Sequence, residues 1–212
     1  MKNNKKIKIH VKNNHWAPGS FPTDAEGEKN FTITNKIRIG TSIVPVYART
    51  PANLAMTALN MDVMSNGRFF LGLGSSGKLV IEDFHGEEFR KPLSRMREYI
   101  TFIRKASRGE TLDHDGQFFN TKRFKIRFPA YRENLPIYIA SLTPASLKMT
   151  GELADGWLPI YYAPGRMSDS YAKLKEGTDL AGRTLDDITV SPQVSIYVTE
   201  DKAEAYNCER PH

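Results

Sequence analysis

Ile37-Arg38-Ile39-Gly40-Thr41-Ser42-Ile43-Val44-Pro45 and Arg68-Phe69-Phe70-Leu71-Gly72-Leu73-Gly74-Ser75-Ser76-Gly77 bracket the stretch that decides the fold. Each is an apolar run ending in small polar residues, the pattern of a strand that opens into a loop at its carboxyl end. Between them, Thr50 to Ser65 carries a helical period, with Leu54, Ala58, Met61 and Ser65 on one face. Strand, helix and strand in that order make a parallel unit with a right-handed crossover. Glycine at a strand end lets a ligand approach the backbone, because no Cβ obstructs it. Parallel α/β folds bind their ligands at that end.

Toward the carboxyl terminus the alternation continues. A long loop runs to Pro92, and Leu93 to Ser107 then reads as a helix with Met96, Ile100 and Ile103 on its apolar face. Asp113 to Arg127 leaves the repeat as a hairpin built on Gln117-Phe118-Phe119 and Phe124-Lys125-Ile126. Pro136 to Ser141 returns to a buried strand, Pro144 to Leu153 is a helix, and Gly156 to Ile160 a short strand. Pro164 to Leu180 is another helix and Ile188 to Val198 a last strand, before a helix at Glu200 to Tyr206 capped by Thr199. Such alternation predicts a parallel sheet covered by helices.

Toward the amino terminus the character changes. Residues 1–36 form a divergent basic segment, with an alternating strand candidate at Ile7, Ile9 and Val11 and a Pro/Gly-rich loop from Asn13 to Asn30. Lys2, Lys5, Lys6, Lys8 and Lys12 carry +5 of the chain's formal +6, and no acid precedes Asp24. The folded body is therefore close to neutral, which argues against nucleic acid as a partner and for a solvated lysine lead. One cysteine, Cys208, excludes an intrachain disulfide framework and fits a cytoplasmic protein. No apolar run reaches the length of a membrane span.

Gly72-Leu73-Gly74-Ser75-Ser76-Gly77 matches the G-x-G-x-x-G pattern, yet no helix signal follows until Pro92. A nicotinamide-binding turn needs its last glycine to open a helix at once, so a glycine-lined ligand edge fits better. In Tyr138-Ile139-Ala140-Ser141-Leu142-Thr143-Pro144, a strand passes through a polar loop into a helix start that suits a phosphate. His85, among Glu82, Asp83, Glu87 and Glu88, lacks the spacing of a metal site and reads as a loop-ordering residue, with general acid–base work the alternative. No metal site and no catalytic acid or base is assigned.

The motifs Ile39-Gly40-Thr41-Ser42-Ile43-Val44-Pro45, Ala48-Arg49-Thr50-Pro51, Leu59 to Gly74, Phe84-His85-Gly86, Lys91 to Tyr99 and Ala154-Asp155-Gly156-Trp157-Leu158-Pro159 stand in one order along the chain. Together they resemble the luciferase-like monooxygenase superfamily of flavin and deazaflavin oxidoreductases. The resemblance implies an incomplete TIM (β/α)8 barrel over residues 37–212, with strands corresponding to the third through seventh. It does not account for the first, second and eighth strands. Ser75-Ser76-Gly77 and His85-Gly86 resemble the branch that uses the 8-hydroxy-5-deazaflavin coenzyme (coenzyme F420), with FMN the alternative. The implied activity is hydride transfer between that coenzyme and a small organic substrate, with reduction of molecular oxygen a further possibility.

By the same resemblance, the strand Ile37–Val44 carries a bulge with a non-prolyl cis peptide, and Ser42, Ile43 and Val44 back the coenzyme ring. Gly74, Ser75 and Ser76 lie near the ring or its side chain. Ala140, Ser141, Leu142 and Thr143, with Asp155 and Gly156, lie near the phosphate end. Unpaired sheet edges predict a homo-oligomer or completion by another chain. Two rival readings stand beside the oxidoreductase: a non-catalytic barrel homologue acting as a binding subunit, and a polyanion binder using the lysine lead.

Overall fold

The computed structural model describes residues 35–160, 162–192 and 203. The expected strand near Ile7, and most of the strand to Val198 and of the helix after Thr199, lie outside the described residues. Within them the chain runs β1 (Ile39–Gly40), β2 (Val44–Pro45), α1 (Pro51–Met64), β3 (Phe69–Gly74), α2 (Pro92–Ser107), β4 (Leu112–Asp115), β5 (Asn120–Phe124), β6 (Ile137–Ile139), α3 (Pro144–Leu153), β7 (Gly156–Trp157), α4 (Ser168–Leu180) and β8 (Thr189–Val190). β1, β3, β6, β7 and β8 form one parallel sheet in that order, and β2 continues the line of β1 along β3. β4 and β5 are an antiparallel hairpin outside it.

Local chemistry sets the helix ends. The Thr50 hydroxyl accepts the Asn53 N–H with Pro51 opening α1, and the Ser65 N–H donates back to the Met61 carbonyl. Leu54, Ala58, Met61 and Ser65 are all buried, as their spacing predicts. The hairpin is displaced from its expected place. Its strands start at Leu112 and Asn120, because Glu98 of α2 accepts the Gln117 and Phe118 N–H groups and His114 Nε2 sits 3.0 Å from it. Residues 117 and 118 are thereby spent on the turn. The long loop before Pro92 contains a π-helical turn, Val80–Phe84, that the sequence pattern does not announce.

The sheet has two unlike faces. Phe69, Leu71, Leu73, Ile137 and Ile139 point outward into one core with α1 and α2, and Trp157 packs with Leu147, Leu174 and Ile188 in a second. On the inner face two large rings lie side by side between glycines of the flanking strands: Gly40, Phe70, Tyr138, Gly156. The Phe70 ring lies over Gly40 and stacks on Tyr138 at 4.5 Å, and the Tyr138 ring covers Gly156. This layered filling is how a small barrel packs its interior.

α3 and α4 cross through glycine. A Cβ on Gly177 would lie 1.9 Å from the Lys148 carbonyl oxygen, and one on Gly151 2.1 Å from that of Leu174. Alanine is the better helix former by about 0.8–1.0 kcal/mol, but a backbone oxygen cannot rotate away. Overpacking of this kind costs about 1–3 kcal/mol or more and wins. Gly177→Ala should lower the urea midpoint at unchanged m-value; a midpoint at or above wild type would show that the helices have room between them.

Candidate functional site

The register along β3 locates the site. Ile39 and Gly40 pair with Phe69 and Phe70, whereas Val44 and Pro45 pair with Leu73 and Gly74. Three residues, Thr41 to Ile43, therefore face two on β3, Leu71 and Gly72. That is a one-residue bulge in the strand where the family resemblance implies one. Among the described residues all peptide bonds are trans, so the cis peptide expected there is absent.

A bulge leaves ladder groups unpaired, and here a side chain takes them up. Gly72 turns both its N–H and its carbonyl toward the bulged strand. The Gly72 N–H donates to the Thr41 hydroxyl at 2.8 Å, and the hydroxyl donates to the Gly72 carbonyl at 3.1 Å. The displaced Thr41 and Ser42 carbonyl oxygens stand 2.2 Å from where a Gly72 Cβ would be. Only glycine fits under that backbone.

The bulge forms one wall of a cleft of about 220 Å³. Gly40 to Ile43, Phe70, Leu158, Pro159, Ile160, Ser191 and Pro192 line it. Residues from the first, seventh and eighth strand lines meet around it, so the sheet curls and the cleft lies inside the curl at its carboxyl rim. No lining side chain is ionisable. The volume is below the ~300 Å³ lower end of common small-molecule pockets, room for part of a ligand. Chemically the cleft offers flat apolar walls, two hydroxyls (Ser42 and Ser191) and a main-chain edge. Such walls suit a flat, uncharged group, and none of these side chains serves as an acid or base.

The expected site residues fall into three groups. Ser42 and Ile43 line the cleft. Gly74 and Ala140 adjoin them, since a Gly74 Cβ would lie 2.6 Å from Ile43 Cγ2 and 3.7 Å from Ala140 Cβ. Ser75 and Ser76 follow on the same rim, Ser76 with a left-handed φ of 59°. Val44 turns away into the outer core.

Ser141 is buried and committed, its hydroxyl 2.8 Å from that of Thr150 and its carbonyl accepting the Trp157 indole N–H. Leu142 is exposed. Thr143 caps α3 in a reciprocal box with Ser146, which takes up donors that a phosphate would need.

Asp155 and Gly156 do not line the cleft. Asp155 sits at the amino end of the sheet, its carboxylate accepting the Ile137 N–H at 2.7 Å and pairing with Arg104 at 2.7 Å. It clamps α2 to β6, and Gly156 beside it is spent under Tyr138.

Sequence reasoning passed over Thr41 and Phe70 as site residues, as well as Leu158 to Ile160. A threonine opposite a glycine in the neighbouring strand was the signal available for the first.

Around the rim, neutral phenols pin the loops. Tyr47 donates to the Arg90 carbonyl and Tyr99 to the Arg49 carbonyl, both at 2.9 Å. Burial pushes both phenols up in pKa, with the nearby Arg95 charge opposing. The Arg95 guanidinium lies 4.4 Å over the Tyr47 ring and 5.2 Å over Phe118. His85 Nε2 is buried with no hydrogen-bond partner among the described residues.

Helices outside a curled parallel sheet, with a glycine-floored cleft at its carboxyl rim, define part of a (β/α) barrel. The chain belongs to the luciferase-like monooxygenase family, whose model matches residues 32–208. It is 35% identical to a Mycobacterium tuberculosis protein named provisionally as a coenzyme F420-dependent oxidoreductase, over 90% of this chain and 61% of that protein. It is 30% identical to 5,10-methylenetetrahydromethanopterin reductase of Archaeoglobus fulgidus, over 84% and 52%. The coenzyme F420-dependent tetrahydromethanopterin reductase of Methanopyrus kandleri superposes with a TM-score of 0.77 at 26% identity, over 84% of this chain and 56% of that one. The chain spans between about half and three fifths of the length of these relatives. Among the described residues no helix is long and apolar enough to cross a membrane, and no three His, Cys, Asp or Glu side chains cluster as a metal site would require.

Proposed function

We propose that this chain binds a deazaflavin coenzyme of the F420 type in the bulge-walled cleft and serves hydride transfer to or from a small organic substrate. The observation that carries the reading is the bulge. It turns main chain at Thr41 and Ser42 toward a cleft without ionisable side chains, and a flat, uncharged ring system fits such walls. The names of the relatives supply the coenzyme class. When bound, the coenzyme provides the hydride chemistry; the protein's part is to hold the ring, shield it from water and leave one face open to substrate. Ser42 and Ile43 would back the ring, with Gly74 and Ala140 beside them. Among the described residues β1 and β8 are the ends of the sheet, and edges of this kind are suited to pairing with another chain or a second copy; such an assembly belongs to the same reading.

Titration of oxidised coenzyme F420 with the purified chain tests this. Saturable quenching of its fluorescence is expected, with FMN in a parallel titration quenched weakly or not at all. Saturable quenching of FMN alone would move the chain to the flavin branch. Failure of both titrations would leave the non-catalytic barrel homologue as the better reading.

A further inference from the structure

From the two hydrogen bonds at the bulge we infer that Thr41 is the positioning residue of the cleft, acting on a bound ring through the main chain it holds rather than by touching it. This rests on the ring-binding reading above. Three observations converge. The Thr41 side chain is buried, at 1% exposure, and turned into the sheet. Its one hydroxyl satisfies both Gly72 groups that the bulge removes from the ladder, at 2.8 and 3.1 Å. The same displacement brings the Thr41 and Ser42 carbonyls across Gly72, so the hydroxyl and the glycine hold one backbone conformation from opposite sides.

Without the hydroxyl, Gly72 regains partners only if the strand slides back to a regular register. Such a slip by one residue would set Val44 opposite Gly74 in place of Leu73, turning Val44 toward the cleft and Ile43 away from it. Thr41 therefore selects the register in which the cleft exists. Serine keeps the hydroxyl; valine keeps the shape and loses it.

The test compares wild type, Thr41→Ser and Thr41→Val by two readouts. Amide hydrogen exchange at Gly72 reports the lock with no coenzyme present, and fluorescence titration with oxidised coenzyme F420 reports the cleft. Thr41→Val should speed exchange at Gly72 and weaken coenzyme binding about tenfold or more, which is the effect of about one lost hydrogen bond or a little over. Thr41→Ser should restore both to near wild type. Should Thr41→Val fail to fold, Thr41→Ala replaces it and is read by the same two measurements.

Unchanged exchange at Gly72 in the hydroxyl-free chain overturns the lock. Faster exchange with undiminished coenzyme affinity overturns the positioning role while leaving the lock. If wild type itself does not quench the coenzyme, the ring-binding reading fails, and with it the positioning role; the exchange comparison still decides the lock separately.

Discussion

Gly72→Ala is expected to be among the most damaging single-methyl changes this chain can carry. The added carbon would lie 2.2 Å from two carbonyl oxygens, those of Thr41 and Ser42, and 3.0 Å from Leu158 Cδ1. The Leu158 contact is a flexible side chain and relaxes cheaply. The two oxygens are main chain, and moving them means moving the bulge. Gly72 does not lie in the left-handed region, so alanine meets no dihedral penalty there. In an unstrained site the substitution even stabilises by about 0.4–1 kcal/mol, through a less flexible unfolded chain.

Against that gain stand overpacking, about 1–3 kcal/mol, and the Gly72 N–H and carbonyl stripped of the Thr41 hydroxyl, about 1–3 kcal/mol for each buried group left unpaired. The net loss should be about 3 kcal/mol or more. Urea unfolding followed by circular dichroism measures it, and binding of coenzyme F420 should be lost in the molecules that remain folded. A variant within about 0.5 kcal/mol of wild type would place it among ordinary surface changes and show that the bulge does not press on β3.

Much of this architecture is written in local pattern. The 3.6-residue period of Leu54, Ala58 and Met61 and the Thr50-Pro51 start give α1 its bounds to within a residue, because cap and face are both local properties. α3 from Pro144 to Leu153 is likewise fixed by its Thr143 cap. Strand ends resist such reading. The run Gly156 to Ile160 is apolar throughout, yet only Gly156 and Trp157 pair, because Leu158 to Ile160 leave the sheet to line the cleft. Pro159, with no N–H to give a ladder, is the one local sign that pairing stops; that the run then lines the cleft is a tertiary fact.

Asp155 shows the same limit from the other side. A Gly-flanked acid near a strand suits a turn beside a ligand as well as it suits an arginine clamp. The choice depends on Arg104, 51 residues away in α2. Thr41 was legible in principle, since a hydroxyl and a facing glycine suit a bulge, but the pairing with Gly72 is a tertiary fact.

At the opposite end of β3 from the cleft, Arg132→Leu should cost more than any surface ion pair in this protein. The Asp62 side chain is 1% exposed and lies in the last turn of α1, where the helix dipole disfavours a carboxylate. Arg132 offsets both penalties. Its Nε and Nη2 donate to Asp62 at 3.0 and 2.6 Å, and Nη2 also donates to the Phe69 carbonyl at 2.6 Å. Without it a buried charge is left with its main counterion removed, a situation that costs about 3–5 kcal/mol. Exposed pairs such as Lys175–Asp179 are worth about 0.3–0.5 kcal/mol by comparison.

The pair itself need not be net stabilising, because two groups were desolvated to make it. Asp62→Leu together with Arg132→Leu should therefore recover a large part of what Arg132→Leu loses, giving a coupling energy of about 2 kcal/mol or more in a double-mutant cycle. Since the clamp holds the amino end of β3 and the cleft lies at its carboxyl rim, coenzyme affinity per folded molecule should stay at the wild-type value in all three variants. Additive losses across the cycle would mean that the two side chains do not share the buried site. A parallel fall in affinity would mean that β3 transmits displacement along its length, and the cleft would then depend on both ends of that strand.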